Sequence, residues 1–285
     1  GWILYLLTQS VRIPDKKIRK ALNHLSLVLD SQTTTRKQVE RLLGLLQWIS
    51  AVAFPLRAML RQSYADLALF PPADHAPVIL HRDTREQLEW WRRTLPELNW
   101  RPFDHILGFE HDSITNVTSD ASGEGFGIWW DDVYVQYRWR DCPAPWSALE
   151  FAHINTQEAF ALVAAAAVLE FELAGRYVRF ITDNATVYWA WEKLSSDSRL
   201  VMASVRMVAR SAIRHKYRWF AGWIGTKDNR LADALSRSQW ALIDGLVDLS
   251  RKQRRVVPFG VLSAWLREEP AWARQLDFSS LLSCH

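Results

Sequence analysis

Four carboxylates stand where backbone elements begin or end. Asp120 closes an apolar run in Thr118-Ser119-Asp120-Ala121-Ser122-Gly123, and Asp183 closes another in Thr182-Asp183-Asn184. Glu158 falls in the first turn of a long helix-forming stretch, Asn155-Thr156-Gln157-Glu158. Asp233 lies within Asn229-Arg230-Leu231-Ala232-Asp233-Ala234-Leu235-Ser236-Arg237. Carboxylate oxygens are hard ligands and suit Mg²⁺ or Mn²⁺. Several gathered in one place repel each other, so a cation is needed to hold them. Two such ions roughly 4 Å apart activate a water and stabilise a leaving oxygen in an in-line displacement at phosphorus, with no nucleophilic side chain. Each acid alone has a plainer role. An Asp at a strand end serves turns and caps, and a Glu in a first helical turn is favoured by the helix dipole. Jointly, spaced 38, 25 and 50 residues apart and each at an element boundary, they point to one site.

The elements that must carry them are legible from periodicity. Asn116 to Asp120, Gly125 to Trp130 and Val133 to Trp139 read as strands, the last two joined by a tight Asp131-Asp132 hairpin. Asn155 or Thr156 caps a helix expected to reach Leu173, with Gly175 as its stop. Tyr177 to Thr182 reads as a buried strand, Thr186 to Leu194 and Arg199 to Arg214 as helices, Tyr217 to Ile224 as a strand, and Asn229 to Ser236 as a short helix. That order predicts an α/β fold, a mixed β-sheet with flanking helices, over 111–238. Residues 1–110 read as mainly helical. Thr35-Arg36-Lys37-Gln38 is a capping box, and after it comes a stripe of Val39, Leu42, Leu43, Leu46 and Ile49. Pro55 ends or bends the next stretch of chain, and a second amphipathic helix is expected from Thr84 to Leu95, carrying Leu88, Trp91 and Leu95. Residues 239–285 form an extension of unknown role, with helical stretches at Trp240 to Leu249 and Val261 to Arg267.

Composition narrows the class. The 285 residues are 49% hydrophobic and 23% charged, as in a folded globular protein, and 16 tryptophans supply large core side chains. Net charge is +4, but from Ser198 to Lys227 there is no acid, while Arg199, Arg206, Arg210, Arg214, Lys216, Arg218 and Lys227 all fall there, which suits a polyanionic partner. At helical spacing Arg206, Arg210 and Arg214 fall on one line, opposite Val201, Val205, Val208 and Ala212. The stripe reads as a solvated face or, beside a nuclease site, as a phosphate contact. The two cysteines, Cys142 and Cys284, match neither a disulfide framework nor a zinc site. A reducing, intracellular compartment (cytoplasm or nucleus) and no secretion are therefore expected. No apolar run approaches the length of a membrane span. The chain starts at Gly1 within a structured-looking segment, and reads as a piece of a longer polyprotein.

The four acidic stretches resemble the motifs of the retroelement ribonuclease H family, in that family's order: an Asp-Ala-Ser strand end, an Asn-x-x-Glu helix start, a Thr-Asp-Asn strand end and a terminal Ala-Asp-x-Leu-Ser-Arg. The Ala232-Asp233-Ala234-Leu235-Ser236-Arg237 string is similar to that of DIRS-like and gypsy-like retrotransposons. The resemblance covers about 112–238. It implies endonucleolytic hydrolysis of the RNA strand of RNA–DNA hybrids with two Mg²⁺ ions, Mn²⁺ substituting. Asp120 would bridge both ions, Glu158 and Asp183 would complete the one shared with the attacking water, and Asp233 would bind the second more weakly. Asn155 matches a minor-groove contact, although a plain N-cap explains it equally. The backbone around Ser122 and Gly123 would lie near the 2′-hydroxyls that tell RNA from DNA. Asn184, Arg206, Arg210, Arg214 and Lys227 complete the expected nucleic-acid contacts. Cellular relatives carry a mobile His before the last Asp. Here the loop reads Ile224-Gly225-Thr226-Lys227-Asp228-Asn229, and slower turnover is the expected consequence.

The first segment resembles the end of a retroelement reverse transcriptase. Leu42-Leu43-Gly44-Leu45-Leu46-Gln47 is similar to its thumb, and Leu88-Glu89-Trp90-Trp91 to the connection of DIRS-like elements. That implies upstream polymerase domains as partners in the same polyprotein. No Tyr-x-Asp-Asp motif is present, so no polymerase activity is expected of this segment alone. The alternatives are a domesticated module that binds nucleic acid or protein without catalysis, and a nuclease of the same fold that prefers DNA. Oligomeric state is not readable from the residues.

Overall fold

The computed structural model describes residues 2–5, 7, 10–51, 54–98, 100–102 and 114–269, so Cys284 lies outside the described residues. The chain divides into two units, Gly1–Glu110 and His111–His285.

The first unit holds β1 (Ile3–Tyr5), β2 (Ser10–Arg12), α1 (Asp15–Asp30), β3 (Thr34–Thr35), α2 (Arg36–Ser50), α3 (Arg61–Ala68), β4 (Pro77–Val78), α4 (Arg82–Thr94) and β5 (Trp100–Pro102). The capping box forms. The Thr35 side chain accepts from the Gln38 N–H, and the Thr35 N–H donates to Gln38 Oε1 at 2.8 Å. Those two bonds satisfy donors that the first turn of α2 would otherwise leave orphaned. Val39, Leu42, Leu43, Leu46 and Ile49 are all fully buried along one face of α2. Pro55 falls in the 3-10 turn Phe54–Met59, where its missing N–H breaks no helical ladder. Helix α4 starts at Arg82, two residues earlier than expected, because buried Asp66 serves its first turn: the His81 N–H and the Thr84 hydroxyl both donate to Asp66 Oδ2. Leu88, Trp91 and Leu95 face inward as predicted.

The second unit is a six-stranded mixed sheet with helices packed on it. Its elements are β6 (Ile114–Ala121), β7 (Gly125–Trp130), β8 (Val133–Arg138), α5 (Ile154–Val168), β9 (Tyr177–Thr182), α6 (Ala185–Lys193), α7 (Arg199–His215), β10 (Arg218–Trp223), α8 (Arg230–Ser236), α9 (Trp240–Leu246), β11 (Gln253–Arg254) and α10 (Phe259–Arg267). Strand order is β10-β9-β6-β7-β8-β11. Strands β6, β7 and β8 run antiparallel, whereas β9 and β10 run parallel to β6. The expected mixed sheet with flanking helices is therefore what forms. The β7–β8 turn is the predicted Asp131-Asp132 hairpin, with Asp131 in the left-handed region at φ 45°, a conformation Asp tolerates. Helix α5 is buried on nearly every side from Thr156 to Ala167, and its alanines let α7 and β6 approach it closely.

Two expectations need correction. First, neither Asn155 nor Thr156 caps α5. His153 does, its Nδ1 accepting from the Asn155 N–H at 3.2 Å, and the helix stops at Val168 rather than Leu173. Second, the arginine row of α7 is not an outer stripe. Leu200 to Ala212 are all buried, with Arg206 only 3% and Arg210 5% exposed. Both guanidiniums bond Glu269, at 2.6 Å from Arg206 Nη2, and Arg214 bonds Glu268 at 2.8 Å. Burial of a charge requires a bonded partner, and Glu269, itself buried, is that partner. Arg206 and Arg210 are thus interior groups and not phosphate contacts. Beyond these corrections, residues 239–269 pack within the second unit. Strand β11 pairs with β8, α10 packs against α5, and the Trp146 Nε1–H donates to Ser263 Oγ at 3.3 Å.

Candidate metal centre

Three of the four sequence-selected acids meet. Asp120 near the end of β6, Glu158 on α5 and Asp183 just past β9 each offer a carboxylate oxygen, and these oxygens lie within 4.8 Å of one another. The topology makes this so. Strands β6 and β9 are parallel neighbours, so their C-terminal ends, each closing on an acid, lie side by side. Helix α5 runs beside β6 and delivers Glu158 from above the same end.

The next layer is equally specific. Asp120 Oδ2 accepts from the Ser236 hydroxyl at 2.6 Å, and Oδ1 accepts from Asn229 Nδ2 at 3.4 Å. The Asn229 amide also donates to the Ser119 carbonyl at 3.2 Å. Glu158 Oε2 accepts from the Thr182 hydroxyl at 3.4 Å. Ser236 reaches Asp120 because α8 lies directly on β7 at Gly127, which pairs with Asp120 in register. A Cβ at Gly127 would stand 2.4 Å from Leu235 Cβ, 2.5 Å from the Ala232 carbonyl and 2.8 Å from the Ser236 nitrogen. Glycine is required there by close approach of a backbone, not by its own dihedral angles.

Burial and mutual repulsion raise two of the carboxyls. Burial, opposed by the Ser236 hydrogen bond and reinforced by the charges of Asp183 and Asp233, pushes the Asp120 carboxyl up to about 7. Burial, with Asp120 and Asp183 adding repulsion, pushes Glu158 up to about 9. Among the described residues no Lys or Arg forms an ion pair with Asp120, Glu158 or Asp183. An all-carboxylate donor set, two of its three members buried, with no ion-paired Lys or Arg among the described residues and only Arg237 acting on Asp120 from a distance, fits hard divalent ions.

The remaining expected residues fall around this centre. Asp233 is outside the three-acid group. It sits on α8, half-buried, with Oδ1 bonded to Arg237 Nε at 2.8 Å, yet its charge is felt at Asp120. Asn155 and Asn184 meet each other, Asn184 Nδ2 donating to Asn155 Oδ1 at 2.9 Å, so the first turns of α5 and α6 are bridged beside the acids. Asn184 also caps α6, accepting from the Val187 N–H at 3.0 Å. Ser122 is buried and turned inward. Its N–H donates to the Gly125 carbonyl at 2.9 Å, its carbonyl accepts from Trp139 Nε1 at 2.8 Å, and its hydroxyl donates to the Ser236 carbonyl at 3.1 Å. Gly123 next to it is exposed, as is Lys227. Arg214 is half-exposed and paired with Glu268. Other acids that could be confused with ligands are engaged elsewhere: Glu170 with His215, Glu172 with Arg255 and Asp132 with Lys252. Sequence reasoning missed Asn229 and Ser236 as partners of Asp120, though both lie inside the Asn229–Arg237 motif, and missed Trp223, whose Nε1–H donates to the Asp183 carbonyl at 3.0 Å.

Two solved structures are similar to this chain. RNase H1 from the halophilic archaeon Halobacterium salinarum NRC-1 is 17% identical, with a TM-score of 0.32, over 45% of this chain and 98% of that one. The foamy viral protease-reverse transcriptase dRH in complex with ds DNA is 12% identical, with a TM-score of 0.30, over 79% of this chain, which spans 38% of that protein. No protein-family model matches the chain, and no curated protein does. At these identities and scores the function has to be read from this chain's own residues. Among the described residues, no helix is long and apolar enough to cross a membrane.

Proposed function

We propose that the second unit is a metal-dependent ribonuclease H that hydrolyses the RNA strand of RNA–DNA hybrids, within a retrotransposon reverse transcriptase polyprotein. The observation that carries this reading is the convergence of Asp120, Glu158 and Asp183 at adjoining strand and helix ends, from three separate motifs of the chain. Asp120, Glu158 and Asp183, whose oxygens lie within 4.8 Å of one another, would hold the metal. Asp233, whose charge acts on Asp120, would assist from α8. Magnesium, or manganese in its place, would supply Lewis acidity at the phosphoryl oxygens and an acidified water. The chain's own contribution is orientation. Ser236 and Asn229 fix both oxygens of Asp120, Thr182 fixes Glu158, and the strand ends fix the main chain of Asp183. Asn155, Asn184, Gly123 and Lys227 would meet the hybrid. Residues 1–110 would be the thumb and connection that hold the hybrid for polymerase domains upstream.

The test is cleavage of a hybrid labelled on either strand, in Mg²⁺ or Mn²⁺, by the full chain and by Asp183→Asn, with EDTA and single-stranded RNA as controls. Metal-dependent cutting of only the RNA strand of the hybrid, lost in the variant, is expected. Folded protein that binds hybrid in metal and never cuts it would replace the nuclease with a binding module.

A further inference from the structure

The loop between β10 and α8 is fastened at both ends to the acid cluster. At its start the Trp223 Nε1–H donates to the Asp183 carbonyl at 3.0 Å. At its finish the Asn229 amide donates to Asp120 Oδ1 and to the Ser119 carbonyl. In between, the Ile224 N–H holds the Thr182 carbonyl at 3.2 Å. Both ends of the loop are therefore tied to the strands that carry the two acids, and the loop exposes side chains between those ties. Two side chains matter there. Trp223 is 54% exposed, although Trp219 on the same strand is buried in the core. Lys227 is exposed and has no carboxylate partner among the described residues.

A large aromatic ring left in water forgoes much favourable burial. Trp223 spends its single donor on a backbone carbonyl, which fixes the ring while leaving much of its surface uncovered. An indole held this way beside a phosphoryl-transfer centre offers an apolar face to the sugars and base edges of a duplex, a contact that does not depend on sequence. The indole nitrogen lies 3.0 Å from the Asp183 carbonyl, so the ring adjoins the residue that supplies one of the three carboxylates.

We infer that Trp223 grips the nucleotide flanking the cut phosphate, its ring packing on the sugar and base edge while Lys227 meets the next phosphate. This rests on the hybrid-cutting reading and adds a contact that the acidic motifs do not contain. Trp223 acts on substrate binding, so its loss raises Kd and KM more than it lowers kcat.

The test uses the full chain in an Asp183→Asn background, which keeps the carbonyl that Trp223 bonds, with fluorescence anisotropy of a labelled RNA–DNA hybrid in Mg²⁺. Trp223→Ala should weaken binding roughly 5- to 100-fold. Trp223→Phe, which keeps a ring but loses the N–H, should stay within about 3-fold of the parent. In the Asp183 chain, the Ala variant should raise KM by a similar factor while kcat falls less. Far-UV circular dichroism and melting curves check that both variants fold. Equal binding by the Ala variant and its parent overturns the inference alone. So do equal losses in Phe and Ala, which would make the hydrogen bond the whole role. A parent that binds no hybrid at all removes the hybrid reading and this inference together.

Discussion

Replacing Asp120 by Asn should stabilise the metal-free protein while abolishing hybrid cleavage. An Asn side chain still offers an oxygen to the Ser236 hydroxyl and no longer carries a carboxylate. In the folded protein the Asp120 carboxyl stands at about 7, chiefly through burial, against 3.8 for an unperturbed Asp. The folded state thus holds this proton more tightly than the unfolded chain does. Its contribution to stability is complete below about pH 4 and is lost as pH rises towards 7. Each pH unit between the two values is worth about 1.4 kcal/mol, so the loss is on the order of 4 kcal/mol at pH 8. Coupling to Glu158, raised to about 9 by burial and by Asp120 and Asp183, shares that relief between two groups. A gain of about 2–4 kcal/mol for the variant is therefore expected, roughly 5–15 °C in Tm for a unit of this size. The assay is thermal and urea unfolding in EDTA from pH 5 to pH 8.5. The gap should shrink by more than half at pH 5, because only about 1.2 of the roughly 3.2 pH units between the unfolded and folded values have then been crossed. At pH 8, Mg²⁺ should raise the wild type more than the variant, because a ligand of the native state stabilises it by mass action. A gap of the same size at every pH, or a variant less stable than wild type at pH 8, would refute the assignment of a crowded, cation-deficient acid cluster.

Two further substitutions probe the surroundings of the centre. Gly127→Ala places a methyl against Leu235 and the backbone of α8. It should cost roughly 1–3 kcal/mol by overpacking, and lower kcat by moving Ser236 off Asp120, measured by urea unfolding and steady-state cleavage. Glu269→Ala removes the shared partner of the buried Arg206 and Arg210. Leaving Arg206 without its partner, and Arg210 with only the longer Glu268 pair, should cost about 3–5 kcal/mol, and chemical denaturation would show whether replacing Arg206, Arg210 and Glu269 by apolar residues recovers most of it.

Much of the second unit was legible because its signals are local. Strands β7 and β9 begin and end where alternation and apolar runs placed them, and the hairpin falls at Asp131-Asp132. The capping box at Thr35 is a four-residue pattern that closes on itself. Where the reading failed, the deciding contact lay far away. Four-residue spacing put Arg206, Arg210 and Arg214 on one face, and a row of cations with no nearby acid looked solvated. Their partners Glu269 and Glu268 lie 54 to 63 residues further on, in a stretch with no chemistry of its own to draw attention. The helix expected from Asn155 failed for a smaller reason. His153, just before the helix, offers a ring-nitrogen acceptor, and His is not among the residue types that favour the N-cap position.

By itself the sequence determined which acids are candidates, since each ends or begins an element and boundaries follow from periodicity and capping. It also determined that a mixed sheet would carry them, because parallel strands joined through helices leave few other arrangements. Only the tertiary structure decided that Asp120, Glu158 and Asp183 share one space while Asp233 stands beside them. It decided that Ser236, 116 residues away, bonds Asp120, and that Trp223 stays in water at the rim. The physical reason is range. Local propensity acts over a few residues, whereas burial, hence the raised carboxyl pKa and the pairing of interior charges, exists only once distant segments have closed around a side chain.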